Sequence, residues 1–140
     1  MTDDELIAIK RELKQVDWSE EAVILGKEQG FRCWYCGRDL LASIEDYDVW
    51  QFDHIIPTSK GGPDTIENKA IACKLCNFAK RDFDVEQVAG RIASKEELRE
   101  YARPHIRQKL QDKREKLSKA KAILRKFKWI HDDRALDKGV

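Results

Sequence analysis

Apolar and polar positions along the chain alternate between helical and strand-like rhythms, with a cysteine- and glycine-rich middle. Leu6, Ile9, Leu13 and Val16 recur at helical steps, and Thr2 with Glu5 fits a capping box, so the first sixteen residues read as an amphipathic helix. Ser19 opens a second helix through Glu20-Glu21-Ala22-Val23-Ile24-Leu25, and Gly30 is its expected stop. Cys33 to Gly37 reads as a tight knuckle, and the polar, acidic stretch 41–48 as a surface connection. Val49 to Ile56 is rich in β-branched and aromatic residues and predicts a strand ended by Pro57. A turn-rich loop follows at 59–64, and a short strand from Asn68 to Ala72 completes a hairpin. From Cys73 to Arg81 a helix begins.

Beyond residue 84 the rhythm is helical again. Asp84 is placed to cap a short helix, and Ser94 with Glu97 offers another capping box. Pro104 is expected to begin the last long helix, because proline suits a first turn but disrupts an interior. In that helix Ile106, Leu110, Leu117, Ala120, Leu124 and Phe127 form a heptad-like seam interrupted at Lys113. No repeat or low-complexity tract stands out.

Composition narrows the class. A chain of 140 residues is the size of one domain, and at 41% apolar and 38% charged it reads as soluble and globular. Its core cannot be generous, so a metal staple would help. No run of about 18 apolar residues exists, which excludes a membrane-spanning helix, and the acidic start Met1-Thr2-Asp3-Asp4-Glu5 lacks the layout of a signal peptide. The expected location is inside the cell, in the cytoplasm. The net charge of +1 hides an asymmetry: residues 1–52 carry 6 Lys/Arg against 12 Asp/Glu, and residues 53–140 carry 21 against 14. Residues 103–128 alone hold 11 basic and 2 acidic residues. That stripe points to a polyanion partner, although the solvated face of a helix is the alternative.

All four cysteines fall into two Cys-x-x-Cys pairs, Cys33/Cys36 and Cys73/Cys76. Two residues between thiolates let a knuckle present both sulfurs to one tetrahedral ion, so a structural Zn²⁺ site is expected. Disulfides are the rival in an oxidising compartment, and a redox pair is a third reading that would not call for two copies. Four protein ligands leave no open position, so this zinc is assigned no chemistry.

Between the pairs lie Asp53-His54-Ile55-Ile56-Pro57, Gly61-Gly62 and Asn68, with Asn77 directly after Cys76. This order, with 14 positions from His54 to Asn68 and 9 from Asn68 to Asn77, resembles the HNH nucleases of the His-Me finger group. The likeness covers about residues 31–83, and the last motif position is Asn77 where the family often has histidine, an HNN variant. It implies an α+β fold: a ββα-metal core with a four-cysteine zinc knuckle, flanked by N-terminal helices (1–30) and a basic helical C-terminal extension (84–140). The implied activity is metal-dependent cleavage of DNA, leaving 5′-phosphate and 3′-hydroxyl ends. Asn68 would then tie the loop across the hairpin and help position His54.

The chemistry asks for the same residue types. Histidine, with an unperturbed pKa near 6.5, can take a proton from water at neutral pH, which makes His54 the candidate general base. Asp53 and Asn77 offer hard oxygen ligands suited to Mg²⁺ or Mn²⁺ as a Lewis acid on the scissile phosphate. Adjacent strand residues point to opposite sides, so a bend or a strand end must bring Asp53 and His54 to one site. Lys74, Lys80, Arg81, Arg107, Lys113 and Arg114 are the candidate phosphate contacts. Blander roles stand beside these. Asn68 can be a turn residue and Asn77 a helix cap. His105 and His131 are expected at the surface, and the four tryptophans in packing. Two other functions remain open: a catalytically inactive zinc-dependent DNA-binding module, and an interaction domain whose seam pairs chains as a homodimer.

Overall fold

The computed structural model describes residues 2–131, so the last nine positions of the basic extension lie outside the described residues. Two N-terminal helices, α1 (Asp3–Lys14) and α2 (Glu20–Gln29), precede a short helix α3 (Ile44–Tyr47). A hairpin of β1 (Gln51–His54) and β2 (Lys69–Ala72) follows, then α4 (Lys74–Lys80), α5 (Val85–Ala89) and the long α6 (Lys95–Lys126). The fold is α+β, a two-stranded antiparallel sheet with helices around it. No helix among the described residues is long and apolar enough to cross a membrane.

The expected caps form. The Thr2 hydroxyl accepts from the Glu5 amide while the Glu5 carboxylate accepts from the Thr2 amide, and Ser19 caps α2 through the Ala22 amide. Gly30 ends α2 in the left-handed conformation at φ 64°. The stretch 41–48, expected to be a surface connection, lies largely at the surface and contains α3, capped by Ser43. The first strand is shorter than 49–56. Its ladder pairs Gln51 with Ala72 and His54 with Lys69, after which the Ile55 amide still donates to the Asn68 carbonyl at 2.8 Å.

β2 is buried along its whole length, because α2 packs on it. Its second edge would leave backbone groups unpaired, and a side chain closes it. The Gln29 amide donates to the Ile71 carbonyl and accepts from the Ile71 amide, both at 2.8 Å. The Trp34 amide donates to the same carbonyl at 3.0 Å, which locks the first knuckle to the hairpin.

Pro104 does not begin a helix. The helix starts ten residues earlier at the Ser94 cap and runs through the proline. A mid-helix proline costs about 3 kcal/mol. Leu98, Ala102 and Ile106 are buried on both sides of it; burial contributes roughly 1.5–3 kcal/mol for each of Leu98 and Ile106 and under about 1 kcal/mol for the Ala102 methyl. Tertiary packing therefore outweighs the local penalty. After Ile106 the seam leaves the core: Leu110 and Leu124 are half-buried, and Leu117 and Phe127 are exposed. Trp129, expected in packing, is 80% exposed. His105, expected at the surface, is half-buried and stacks on Phe83 with ring centroids 3.9 Å apart.

Candidate active site

The two knuckles meet. Sγ atoms of Cys33, Cys36, Cys73 and Cys76 all lie within 4.8 Å of one another, and Cys36 and Cys73 are 3.8 Å apart. Four thiolates at about 2.3 Å from a central zinc are separated by about 3.8 Å, so the cluster fits a tetrahedral ion. Crowding already disturbs the thiols: hydrogen bonds from Cys36, and then Cys73 and Cys76, drive Cys33 far below the usual thiol range. Cys73 also caps α4, its sulfur accepting from the Cys76 amide at 3.4 Å. One residue thus anchors the cluster and starts the helix that carries Asn77.

Asp53 and His54 leave opposite faces of β1, as the pleat requires. The carboxylate turns inward, where it accepts a hydrogen bond from the Tyr35 hydroxyl and lies 3.3 Å from the Lys80 ammonium. Asn77 reaches it from α4, its side-chain nitrogen 3.4 Å from Asp53 Oδ1. Burial pushes the Asp53 carboxyl up, with Lys80 and Tyr35 pulling it down. His54, the last residue of the strand, turns the other way, and its Nε2 sits 2.9 Å from Asp64 Oδ1. An open cleft of about 350 Å³ wraps the strand end and is lined by Asp53, His54, Asn77 and Arg81 together. The strand end thus meets the geometric demand.

Asp64 escaped the sequence reading. Its carboxylate takes both the His54 ring and the Lys69 ammonium, the latter at 2.8 Å. Lys69 first, then His54, hold it below the usual carboxylate range. An ionised Asp64 can only accept, so Nε2 is the ring nitrogen that carries the hydrogen in this contact. The only sequence cue was an aspartate in a turn ten positions after His54; proximity comes from the loop's path. Tyr35, inside the first knuckle, was also missed.

That path is held by Asn68. Its Oδ1 accepts from the Ile56 amide at 2.9 Å, and its Nδ2 donates to the Ile56 and Pro63 carbonyls, each at 2.9 Å. Gly62 completes the turn, since a Cβ there would lie 1.7 Å from the Ile56 carbonyl oxygen. Gly61 adopts φ 86°, open to glycine at no strain.

The candidate phosphate contacts separate. Lys80 is corrected: at 1% exposure it cannot reach a phosphate, and its ammonium instead binds Asp53 and, at 3.0 Å, the His54 carbonyl. Burial pushes that ammonium's pKa down against the pull of Asp53. Lys74 and Arg81 are exposed and flank the Phe78 ring at 5.5 and 5.6 Å. Lys113 lies with Arg81 along a second cleft. Arg107 and Arg114 stand roughly 150° around α6 from Lys109, away from both clefts.

The arrangement is a ββα unit stapled by four cysteines, with a histidine and a carboxylate on one cleft. Residues 33–83 match the family model described as HNH endonuclease, so this segment of the chain is an HNH endonuclease domain. No curated protein and no solved structure matches the chain.

Proposed function

We propose that the protein is a metal-dependent endonuclease that hydrolyses a phosphodiester of DNA, with His54 as general base. The observation that carries this reading is the shared cleft at the end of β1. There His54, oriented through Nε2 by Asp64, faces the same space as Asp53 and Asn77. With Nε2 donating to Asp64, Nδ1 accepts the proton of the attacking water, and the carboxylate stabilises the imidazolium that forms. Asn68 keeps the loop carrying Asp64 in register with His54. Asp53 and Asn77 are the residues that would hold Mg²⁺ or Mn²⁺, which when bound supplies Lewis acidity toward the scissile phosphate and the leaving oxygen. Asp53 and Asn77 border one opening, 3.4 Å apart; the amide nitrogen faces the carboxylate, and turning the amide over would present its oxygen to the ion. Arg81, which lines the cleft, and Lys74, beside Phe78 at its border, serve as phosphate contacts. A homodimer would supply the second site needed to cut both strands together.

One observation favours the inactive DNA-binding module. Asp53 already has the Lys80 ammonium to balance its charge and a hydrogen bond from the Tyr35 hydroxyl, without a divalent cation. A plasmid assay separates the two readings, using zinc-loaded protein and His54→Ala with Mg²⁺, Mn²⁺ or no added divalent cation. Nicking by the wild type alone, and only with metal, is the expected result. Equal cutting by both proteins refutes the assignment of His54. No cutting, with DNA still shifted in a gel, selects the inactive module.

A further inference from the structure

The core-facing line of α6 changes character along its length. Leu98, Ala102 and Ile106 are buried on it. At 3.6 residues per turn, Lys109, Lys113 and Lys116 continue the same sector, within about 80°. Here the helix overhangs a cleft instead of a core. The cleft has a volume of about 530 Å³, with these lysines on one wall and Arg81 on the other. Its floor is the stacked Phe83–His105 pair.

A solvated helix face points its charges away from the protein, whereas these three point along the inward sector. None of them forms an ion pair among the described residues. The one acid of α6 that borders this cleft, Asp112, accepts instead from Gln108 at 2.9 Å. Phe78, Arg81 and Asp82 border this cleft and the catalytic one alike, so the two openings adjoin at the end of α4. Arg81 at the junction holds φ 46°, ψ −123°, a backbone conformation that costs a non-glycine residue roughly 1–3 kcal/mol.

We infer that the cleft between α4 and α6 seats the sugar–phosphate backbone of duplex DNA as it leaves the catalytic cleft, with Arg81, Lys109, Lys113 and Lys116 facing successive phosphates. This rests on the nuclease reading and extends it to a second, non-catalytic contact. The occupant follows from charge: besides Lys80, which pairs with Asp53, four cations face an opening whose acids are Asp82 and Asp112. Seven residues of helix rise about 10.5 Å, which spans roughly three phosphates of one strand. Arg107 and Arg114, on the outer side, take no part.

The test measures binding of a fluorescent 20-base-pair duplex by anisotropy across a salt series, using zinc-loaded protein in a His54→Ala background that cannot cut. Lys109, Lys113 and Lys116 are changed together to Gln in one variant. Arg107, Arg114 and Lys121 are changed to Gln in a control with the same loss of charge. The inner set is expected to reduce the slope of log K against log salt by about two to three, at roughly 0.9 per phosphate contact, and the outer set by less than one. Lys113→Gln alone should show about a third of the inner effect. All the inner side chains are exposed, so folding is expected to hold and is checked by circular dichroism. Equal slopes for the two sets would overturn the cleft assignment, as would a larger effect from the outer set. The nuclease reading fails separately, if wild-type protein leaves plasmid uncut while the inner set still lowers the slope.

Discussion

Asn68→Asp is the substitution on which the organisation of the cleft turns. It conserves shape and keeps the acceptor for the Ile56 amide, but removes the two donors to the Ile56 and Pro63 carbonyls. Each lost hydrogen bond of this kind is worth about 1 kcal/mol, and a buried polar group left unpaired costs about 1–3 kcal/mol. Asn68 is 6% exposed, so water cannot easily replace the bonds, and the new carboxylate would face two carbonyl oxygens. Taking these together, the variant should lose roughly 2–4 kcal/mol, a large share of the 5–15 kcal/mol typical of a domain. Urea unfolding followed by tryptophan fluorescence, with zinc maintained, should show a midpoint lower by on the order of 1 M at unchanged slope. Plasmid nicking should fall at the same time, because the loop carries Asp64 toward His54. Aspartate is as good a turn residue as asparagine. If Asn68 served only to form a turn, the change would be nearly silent. A loss below about 0.5 kcal/mol with nicking intact would refute the reasoning.

Other perturbations separate structural from functional roles. Lys80→Ala should destabilise the fold by about 3–5 kcal/mol, since it strands the buried Asp53 carboxylate; denaturant unfolding checks this, and a change confined to DNA affinity would contradict it. Arg81→Gly should relieve backbone strain, raising thermal stability by about 1 kcal/mol or more, while weakening DNA binding; a loss of stability would mean that the side chain also holds the end of α4. Asp64→Asn should cut nicking at least tenfold with little change in melting temperature, because the exposed carboxylate acts on the His54 ring rather than on the core; unchanged nicking would remove Asp64 from the site. Chelation of zinc, or Cys73→Ser, should unfold the hairpin region, since one cluster ties the first knuckle to the start of α4; a circular dichroism spectrum unaffected by chelation would show that the core stands without metal.

Much of this protein was legible without coordinates because its signals are local. Caps at Thr2, Ser19 and Ser94, the glycine stop at Gly30 and the two Cys-x-x-Cys pairs each depend on a few adjacent residues. Backbone geometry over four positions decides them wherever they occur. The order Asp53, His54, Asn68 and Asn77 likewise survives in a linear reading, because the ββα unit is built from neighbouring segments. Tertiary structure decided what depends on distant neighbours. Pro104 sits inside a helix because Leu98, Ala102 and Ile106 find a core on either side of it. Lys80 is a buried partner of Asp53 and no phosphate contact, because the turn of α4 aims it at the hairpin. Asp64 meets His54 only because Asn68 and Gly62 fold the loop back on the strand. The division has one physical cause: a cap or knuckle is stabilised by its own few residues, whereas burial and the pairing of charges belong to whatever the completed fold brings beside them.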